Sequence, residues 1–231
     1  MKGCAAQPTY VTWADHVYNP WISRARTVAP ATGVRVEDER SLESGGAADV
    51  MRWAADAGEF RQRVGRRPRL FAGPWCWALE NGRDHERESL WQLVSESPDV
   101  DWLMLFDAAA EKAPARPPAE RLDNLWVGTK LTGGGAGRAL CFLKAMPVAR
   151  RFVLISPLLG DLGELDLGGI DWAVVSTAQA PADDAALASF RLLCMGYGVS
   201  CWFEEADELG VVRDYADRSC QEPRLPPGER A

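Results

Sequence analysis

Asn-Leu-Trp-Val-Gly-Thr-Lys-Leu, at residues 124–131, opens the part of the chain that decides the fold. Two more apolar runs follow it, Arg-Arg-Phe-Val-Leu-Ile-Ser at 150–156 and Ile-Asp-Trp-Ala-Val-Val-Ser at 170–176. Each run is short and ends in small or polar residues, which is typical of strands that are buried on both faces. The sequence therefore predicts three neighbouring strands of a parallel sheet.

A helix is predicted between the first two of these strands. Within the segment Gly137–Met146, the apolar residues that recur at helical spacing are Ala139, Leu140, Phe142 and Leu143. A strand, a helix of this length and a second strand form one right-handed crossover unit. Repeated units of this kind build α/β folds, in which helices cover a parallel sheet.

Similar segments lie on both sides of this unit. Ala47–Val64 carries apolar residues three and four positions apart, which predicts an amphipathic helix, broken at Gly58. The other candidates are strands at Tyr10–Trp13, Pro68–Ala72, Asp101–Phe106 and Val199–Phe203, helices at Asp84–Ser95 and from Pro181 onward, and a long loop over residues 22–46.

These elements predict an α/β fold. We expect a TIM-type (β/α) barrel that is partial or distorted, and an open doubly wound parallel sheet is the alternative. Residues 1–217 are expected to form this one domain, and the Pro- and charge-rich residues 218–231 a frayed C-terminal tail.

Composition limits the classes of partner. The chain has 33 acidic and 26 basic residues, a net charge of −7, whereas a surface that binds nucleic acid is normally basic. No apolar run reaches the roughly 18 residues of a membrane span. The six cysteines include no Cys-x-x-Cys pair, a pattern that suits a reducing cytosol. We therefore expect a cytoplasmic protein that does not contact membranes, with nucleic acid possible as a partner but not supported by the charge.

Polar residues end several predicted strands. Ligands of parallel sheets and barrels bind at the carboxyl ends of the strands, so these residues are candidates for binding. Alternatively, Lys130 and Asp107 form a structural ion pair and bind no ligand. Asp15 could likewise have a structural role, in which its carboxylate accepts hydrogen bonds from backbone N–H groups in a turn. His16 is the only plausible catalytic imidazole. The candidate binding residues at strand ends are Trp13, Asp15, Asn19, Asp107, Lys130 and Ser156.

The order of short motifs resembles one family, the phage-associated, radical-SAM-related proteins of largely unknown function that are distantly similar to spore photoproduct lyase. The motifs are Trp13-Ala14-Asp15, Asn19-Pro20, Asn124-Leu125-Trp126-Val127-Gly128, Arg151-Phe152, Pro157-Leu158-Leu159-Gly160 and Asp171-Trp172-Ala173-Val174. The resemblance covers most of residues 10–205. It implies a radical-SAM-like barrel of phage or prophage type.

The chain departs from this family at the residues that carry its chemistry. The family has a three-cysteine loop in the region that corresponds to Ser23–Val36, but this segment contains Arg24, Arg26 and Arg35 and no cysteine. An iron–sulfur cluster needs thiolate ligands, and arginine cannot ligate iron. We therefore expect no cofactor, and a degenerate member of the family, a pseudoenzyme. Arg24 and Arg26 join the candidate residues, because guanidinium groups at the barrel mouth would bind an anion, unless they pair with the neighbouring acidic residues.

Two classes of function remain open. In the first, the chain is a non-catalytic binding or regulatory protein that holds an anionic small molecule, a nucleotide or a protein partner at the barrel mouth. In the alternative, it is a cluster-independent enzyme that acts on a nucleotide or phosphorylated substrate through Asp15, Lys130 and Glu205. The catalytic residues of such an enzyme are not identified by any motif.

We predict that the protein binds no iron–sulfur cluster, because the loop over residues 22–46 has no thiol. After anaerobic reconstitution with iron and sulfide, the desalted protein should contain no stoichiometric iron and should not absorb in the visible region. A brown protein with several irons per chain would contradict the prediction.

Overall fold

Among the residues that the structure describes, nine strands pair into one sheet. The computed structural model describes residues 13–18, 43–72, 84–106, 121–131, 135–155, 165–176, 184–206 and 212–214. The strands are β1 His16–Tyr18, β2 Glu43–Gly45, β3 Arg69–Phe71, β4 Asp101–Phe106, β5 Leu125–Leu131, β6 Arg150–Ile155, β7 Trp172–Ser176, β8 Ser200–Ala206 and β9 Val212–Asp214. The helices are α1 Ala47–Ala55, α2 Ala57–Val64, α3 Asp84–Glu96, α4 Ala136–Ala145 and α5 Asp184–Tyr197.

The sheet is an open half-barrel. Its strands follow the order β2-β1-β3-β4-β5-β6-β7-β8-β9, and every neighbouring pair is parallel except β8 and β9. The α/β class and the open parallel sheet are confirmed. The predicted TIM-type barrel is not a full barrel, since the described strands leave β2 and β9 as unpaired edges. β9 occupies the hydrogen-bonding edge of β8 that closure would require.

The two faces of the sheet pack differently. From β3 to β8 the strands lie in chain order, and the helices cover one face, where alternate strand residues such as Val153 and Val175 share a core with helix residues such as Leu140 and Phe190. This sequential order differs from a doubly wound sheet, which has helices on both faces. On the inner face the curled strands pack against one another through Trp13, Ala14, Phe71, Leu103, Leu105, Trp126, Phe152, Leu154, Trp172, Val174 and Trp202.

Asn124 ties the turn before β5 to the turn before β4. Its buried Nδ2 donates to the carbonyl oxygens of Val94 at 3.0 Å, Ser97 at 2.9 Å and Val100 at 3.2 Å. The Trp102 indole donates to the Ser97 hydroxyl at 2.9 Å in the same turn. The amide of Asn124 thus satisfies carbonyl groups that the end of α3 and the following turn leave without helical partners.

Gly128 makes room for an aromatic ring. It pairs in register with Phe152, and a Cβ on Gly128 would lie 2.6 Å from the Phe152 ring, closer than any real contact. The ring therefore lies directly over the backbone of β5. This contact explains why a glycine stands in the middle of a buried strand, where it is otherwise unfavourable.

Several predicted boundaries shift. The first strand is His16–Tyr18, so the predicted Tyr10–Trp13 is wrong at Trp13, and residues 10–12 lie outside the described ranges. The helix over Ala47–Val64 breaks at Asp56 rather than at Gly58. Residues 43–46 are the described part of the loop predicted for residues 22–46, and they include β2. Strand β9 was not predicted.

Truncating Phe152 to Ala should lower the free energy of unfolding by about 3–5 kcal/mol, because a side chain with 0% exposure would leave a cavity over Gly128. Phe142→Ala is the matched control, since that ring is 39% exposed on α4 and should cost less than about 1 kcal/mol. Urea unfolding measures both. A loss below about 1 kcal/mol for Phe152→Ala would contradict its place in the core.

Candidate functional site

Lys130 lies on the inner face at the carboxyl edge of the sheet. It follows Trp126 and Gly128 at alternate positions of β5 and pairs in register with Leu154, which itself aligns with Val174. Of the side chains described at this level, only Lys130 is charged. It is partly exposed, and within the described ranges its ammonium makes no hydrogen bond or ion pair.

The inner face beneath Lys130 is closed by aromatic rings. Trp172 packs edge-on against Trp13 and Trp126, each at 6.1 Å between ring centroids, and Phe152 lies 5.9 Å from Trp13. Trp13, Phe152 and Trp172 are almost fully buried. The interior is thus a packed core, as in closed barrels, and a ligand at this edge would lie above the rings.

Asp15 lies at the opposite edge from Lys130, so its predicted place at the mouth is wrong. It precedes β1, and its carboxylate accepts hydrogen bonds from Arg66 Nη1 at 2.6 Å and Nη2 at 3.1 Å. It also accepts the Arg69 backbone N–H at 2.7 Å, while its own N–H donates to the Arg69 carbonyl at 2.8 Å. Asp15 therefore has the structural role considered above, in which its carboxylate accepts a hydrogen bond from a backbone N–H group. Trp13 likewise packs in the inner core.

A charged cluster that the sequence did not reveal lies at the amino-terminal edge. Buried Asp101 pairs in register with Arg69, and Arg67 Nη1 lies 3.7 Å from its carboxylate. The Arg69 guanidinium lies 4.7 Å from the centre of the Trp172 ring, and the Arg150 guanidinium 5.1 Å from that of Trp126. These cation–π contacts accommodate two buried arginines beside the aromatic core.

Burial raises the pKa of the Asp101 carboxyl above its ordinary value. The guanidinium groups of Arg69, Arg67 and Arg150 and the indole of Trp126 oppose this rise, because they favour the charged form. Arg69 and Arg150 are the first residues of β3 and β6, and each stands two positions before a residue of the inner face, Phe71 or Phe152. Because side chains alternate between the faces of a strand, this spacing is the sequence signal that both arginines point inward.

His16 faces away from the inner core. Its imidazole stacks on Trp53 of α1, with ring centroids 4.2 Å apart and planes 5° apart. Trp53 belongs to the core between sheet and helices, so His16 contributes to packing on the covered face. The only plausible catalytic imidazole therefore lies on the opposite face of the sheet from Lys130.

Most of the remaining candidates lie outside the residues that the structure describes. Asn19, Arg24, Arg26, Asp107 and Ser156 lie outside those ranges, so their convergence on Lys130 stays a prediction. Glu204 and Glu205 were expected to follow the last strand but belong to β8.

Among the residues that the structure covers, no group of three His, Cys, Asp or Glu side chains could hold a metal ion. Cys201 lies on the helix-covered face of the sheet, in the same core as Cys194. Cys141 is exposed on α4.

One family matches the chain, described as Protein of unknown function (DUF5131), over residues 8–214. The chain belongs to the DUF5131 family. The match includes every strand and helix described above. No curated protein and no solved structure matches this DUF5131 chain. Across its described segments, none of the helices has the length and apolar character needed to cross a membrane.

Asp101 predicts a pH dependence of stability. Because its pKa is raised in the folded state, its contribution is fully present below its unfolded pKa of about 3.9 and is lost as pH rises through the folded pKa. Asp101→Asn removes this titration. The unfolding free energy of the native protein minus that of Asp101→Asn should therefore fall as pH rises from about 3 to 7.

Asp99→Asn is the control for this series, because Asp99 is exposed in the turn before β4. Its stability curve, measured by urea unfolding at each pH, should run parallel to that of the native protein. If the unfolding free energy of the native protein minus that of Asp101→Asn rose with pH, the arginines would have a larger effect on the Asp101 pKa than burial has. That result would contradict the prediction.

Proposed function

We propose that this DUF5131 protein is a non-catalytic binding or regulatory protein that holds an anionic group at Lys130 on the carboxyl edge of the half-barrel. The anion belongs to a nucleotide, a small molecule or a macromolecular partner. The proposal includes descent from a phage-type, radical-SAM-like barrel that has lost its cluster, on the strength of the motif resemblance and the missing cysteine loop. We further propose that the protein works in the cytoplasm.

The placement of Lys130 carries the binding proposal. Its ammonium lies at the carboxyl edge of the inner face beside the apolar Leu154 and Val174, and it has no acidic partner within the described ranges. A cation in such surroundings attracts an anion more strongly than one in open water, because the local dielectric is lower. The rings beneath Lys130 leave no room for a ligand inside the sheet, so the anion would be bound at the rim.

The position of Asp15 weakens the alternative enzyme. Asp15 precedes β1 at the amino edge, whereas Lys130 is the sixth residue of β5. At a rise of about 3.3 Å per residue, the strands separate the two side chains by roughly 20 Å. Asp15 also binds Arg66 and the Arg69 backbone, so it cannot act as a base beside Lys130. We therefore do not propose that these residues form one catalytic site.

Lys130→Gln tests the proposal. We expect it to weaken binding of ATP or inorganic pyrophosphate, measured by isothermal titration calorimetry, by about tenfold or more, which corresponds to about 1.4 kcal/mol. Lys144→Gln is the matched control, because Lys144 lies on α4 and is already paired with Asp166 at 2.7 Å. It should leave the affinity unchanged.

Arg24 and Arg26 provide an independent test of the same site. Changing both to Ala should weaken binding of the same anions and leave the melting temperature nearly unchanged. Failure of both anions to bind the native protein, or equal affinity in the native protein and Lys130→Gln, would overturn the proposal.

A further inference from the structure

The outer side of α5 is apolar and exposed. Leu192 and Met195 are 68% and 67% exposed, the highest values among the large apolar side chains that the structure describes. Ala188 precedes Leu192 by about one helical turn and is also exposed, so the three residues form one stripe along the helix. The solvent-facing side of a surface helix normally carries charged residues. This stripe therefore has the character of a surface that another segment covers.

Charge is nearly absent from the whole helix. α5 contains two charged residues, Asp184 at its start and Arg191, and neither belongs to the stripe. Ser189 and Gly196 border the stripe and are small and exposed, so no bulky side chain of α5 shields it there. α5 packs on the helix-covered side of the sheet, whereas Lys130 lies on the inner face. The stripe is therefore separate from the proposed anion site.

The stripe is too small to hold a second copy of the chain stably. A helix of 14 residues is about 21 Å long and about 10 Å wide. One side of it offers far less than the roughly 800 Å² that each partner of a stable dimer contributes. A segment of the same chain needs no such area, because its tether gives it an effective concentration in the millimolar range. The size of the stripe therefore favours a tethered occupant.

The chain leaves the described fold close to the end of α5. β9 pairs antiparallel with β8, so it runs from the carboxyl edge back towards the amino edge, and its last residue, Asp214, aligns with Glu204. β8 begins at Ser200, three residues after α5 ends, at this same amino edge. The path from Asp214 along β8 and over the helix is about 25 Å. Eight residues, 215–222, can span that distance, so Pro223 is within reach of the stripe.

Residues 223–227 have the composition of a docking segment. They read Pro-Arg-Leu-Pro-Pro and follow the part of the chain that the family match covers, which ends at residue 214. Proline-rich segments favour the extended polyproline II conformation, which loses little conformational freedom on binding, and they dock on exposed aromatic and apolar side chains. Tyr197, in the last turn of α5, is 47% exposed at the end of the helix that the chain must pass.

We propose that residues 223–227 dock on the outer side of α5, with Leu225 and the proline rings against Leu192 and Met195. Docking removes the apolar stripe from water and orders a segment whose composition by itself favours fraying. It also keeps the stripe from other proteins, which bind exposed apolar patches.

Photocrosslinking in the full chain identifies the occupant. A benzophenone-bearing amino acid replaces Leu192, whose exposure allows the substitution, and the irradiated protein is digested with trypsin. Trypsin releases residues 192–213 as one peptide and residues 225–230 as another, so docking should give a crosslink between these two peptides within one chain. The same amino acid in place of Met51, which is 44% exposed on α1, is the matched control and should not capture residues 225–230.

A substitution in the docking segment tests the contact from its other side. Leu225→Asp removes the apolar anchor and places a charge against the stripe, so the crosslinked fraction of residues 192–213 should fall about threefold or more. Ser219→Asp adds the same charge outside the proline-rich segment and should leave that fraction unchanged. Circular dichroism confirms that each variant is folded.

Three results would overturn the inference. The first is a crosslink that joins two chains, which runs as a dimer on a denaturing gel and means that a second copy covers α5. The second is irradiation that yields no crosslink between residue 192 and residues 225–230. The third is an equal crosslinked fraction in Leu225→Asp and Ser219→Asp, which would show that Leu225 does not anchor the segment.

Discussion

The close approach of the Phe152 ring to the backbone of Gly128 is the contact on which the inner face depends. Any other residue at position 128 would force the buried ring to move, because a Cβ there would lie 2.6 Å from it. With the ring lying over β5, Phe152, Trp13 and Trp172 fill the interior of a sheet that does not close on itself. A half-barrel exposes its inner face unless large side chains fill it. Four of the ten tryptophans of the chain, Trp13, Trp126, Trp172 and Trp202, lie on this face.

Much of the fold could be predicted from the sequence, because local patterns carry it. β4 spans the predicted residues, and the crossover unit of β5, α4 and β6 lies within one or two residues of its prediction. Such elements have apolar runs or helical periods that need no distant partner to be recognised. β1 and β9 have three residues each and no apolar run of their own, so only their neighbours in the sheet define them.

The site was less predictable, because its chemistry depends on distant pairs. Lys130 could be placed by alternation along a clear strand. Asp15 could not, since its partner Arg66 lies 51 residues away and decides that the carboxylate is structural. Buried Arg69 and Arg150 depend on the ring faces of tryptophans from other strands, a contact that no local pattern reports.

The order of the strands has a consequence for how the chain folds. From β3 to β8 each new strand pairs with the strand made just before it. A nascent chain can therefore extend the sheet one strand at a time, and no early strand must wait for a late one, as it would in a closed barrel. Antiparallel β9 then covers the growing edge of β8, which would otherwise remain a template for strands of other chains during synthesis.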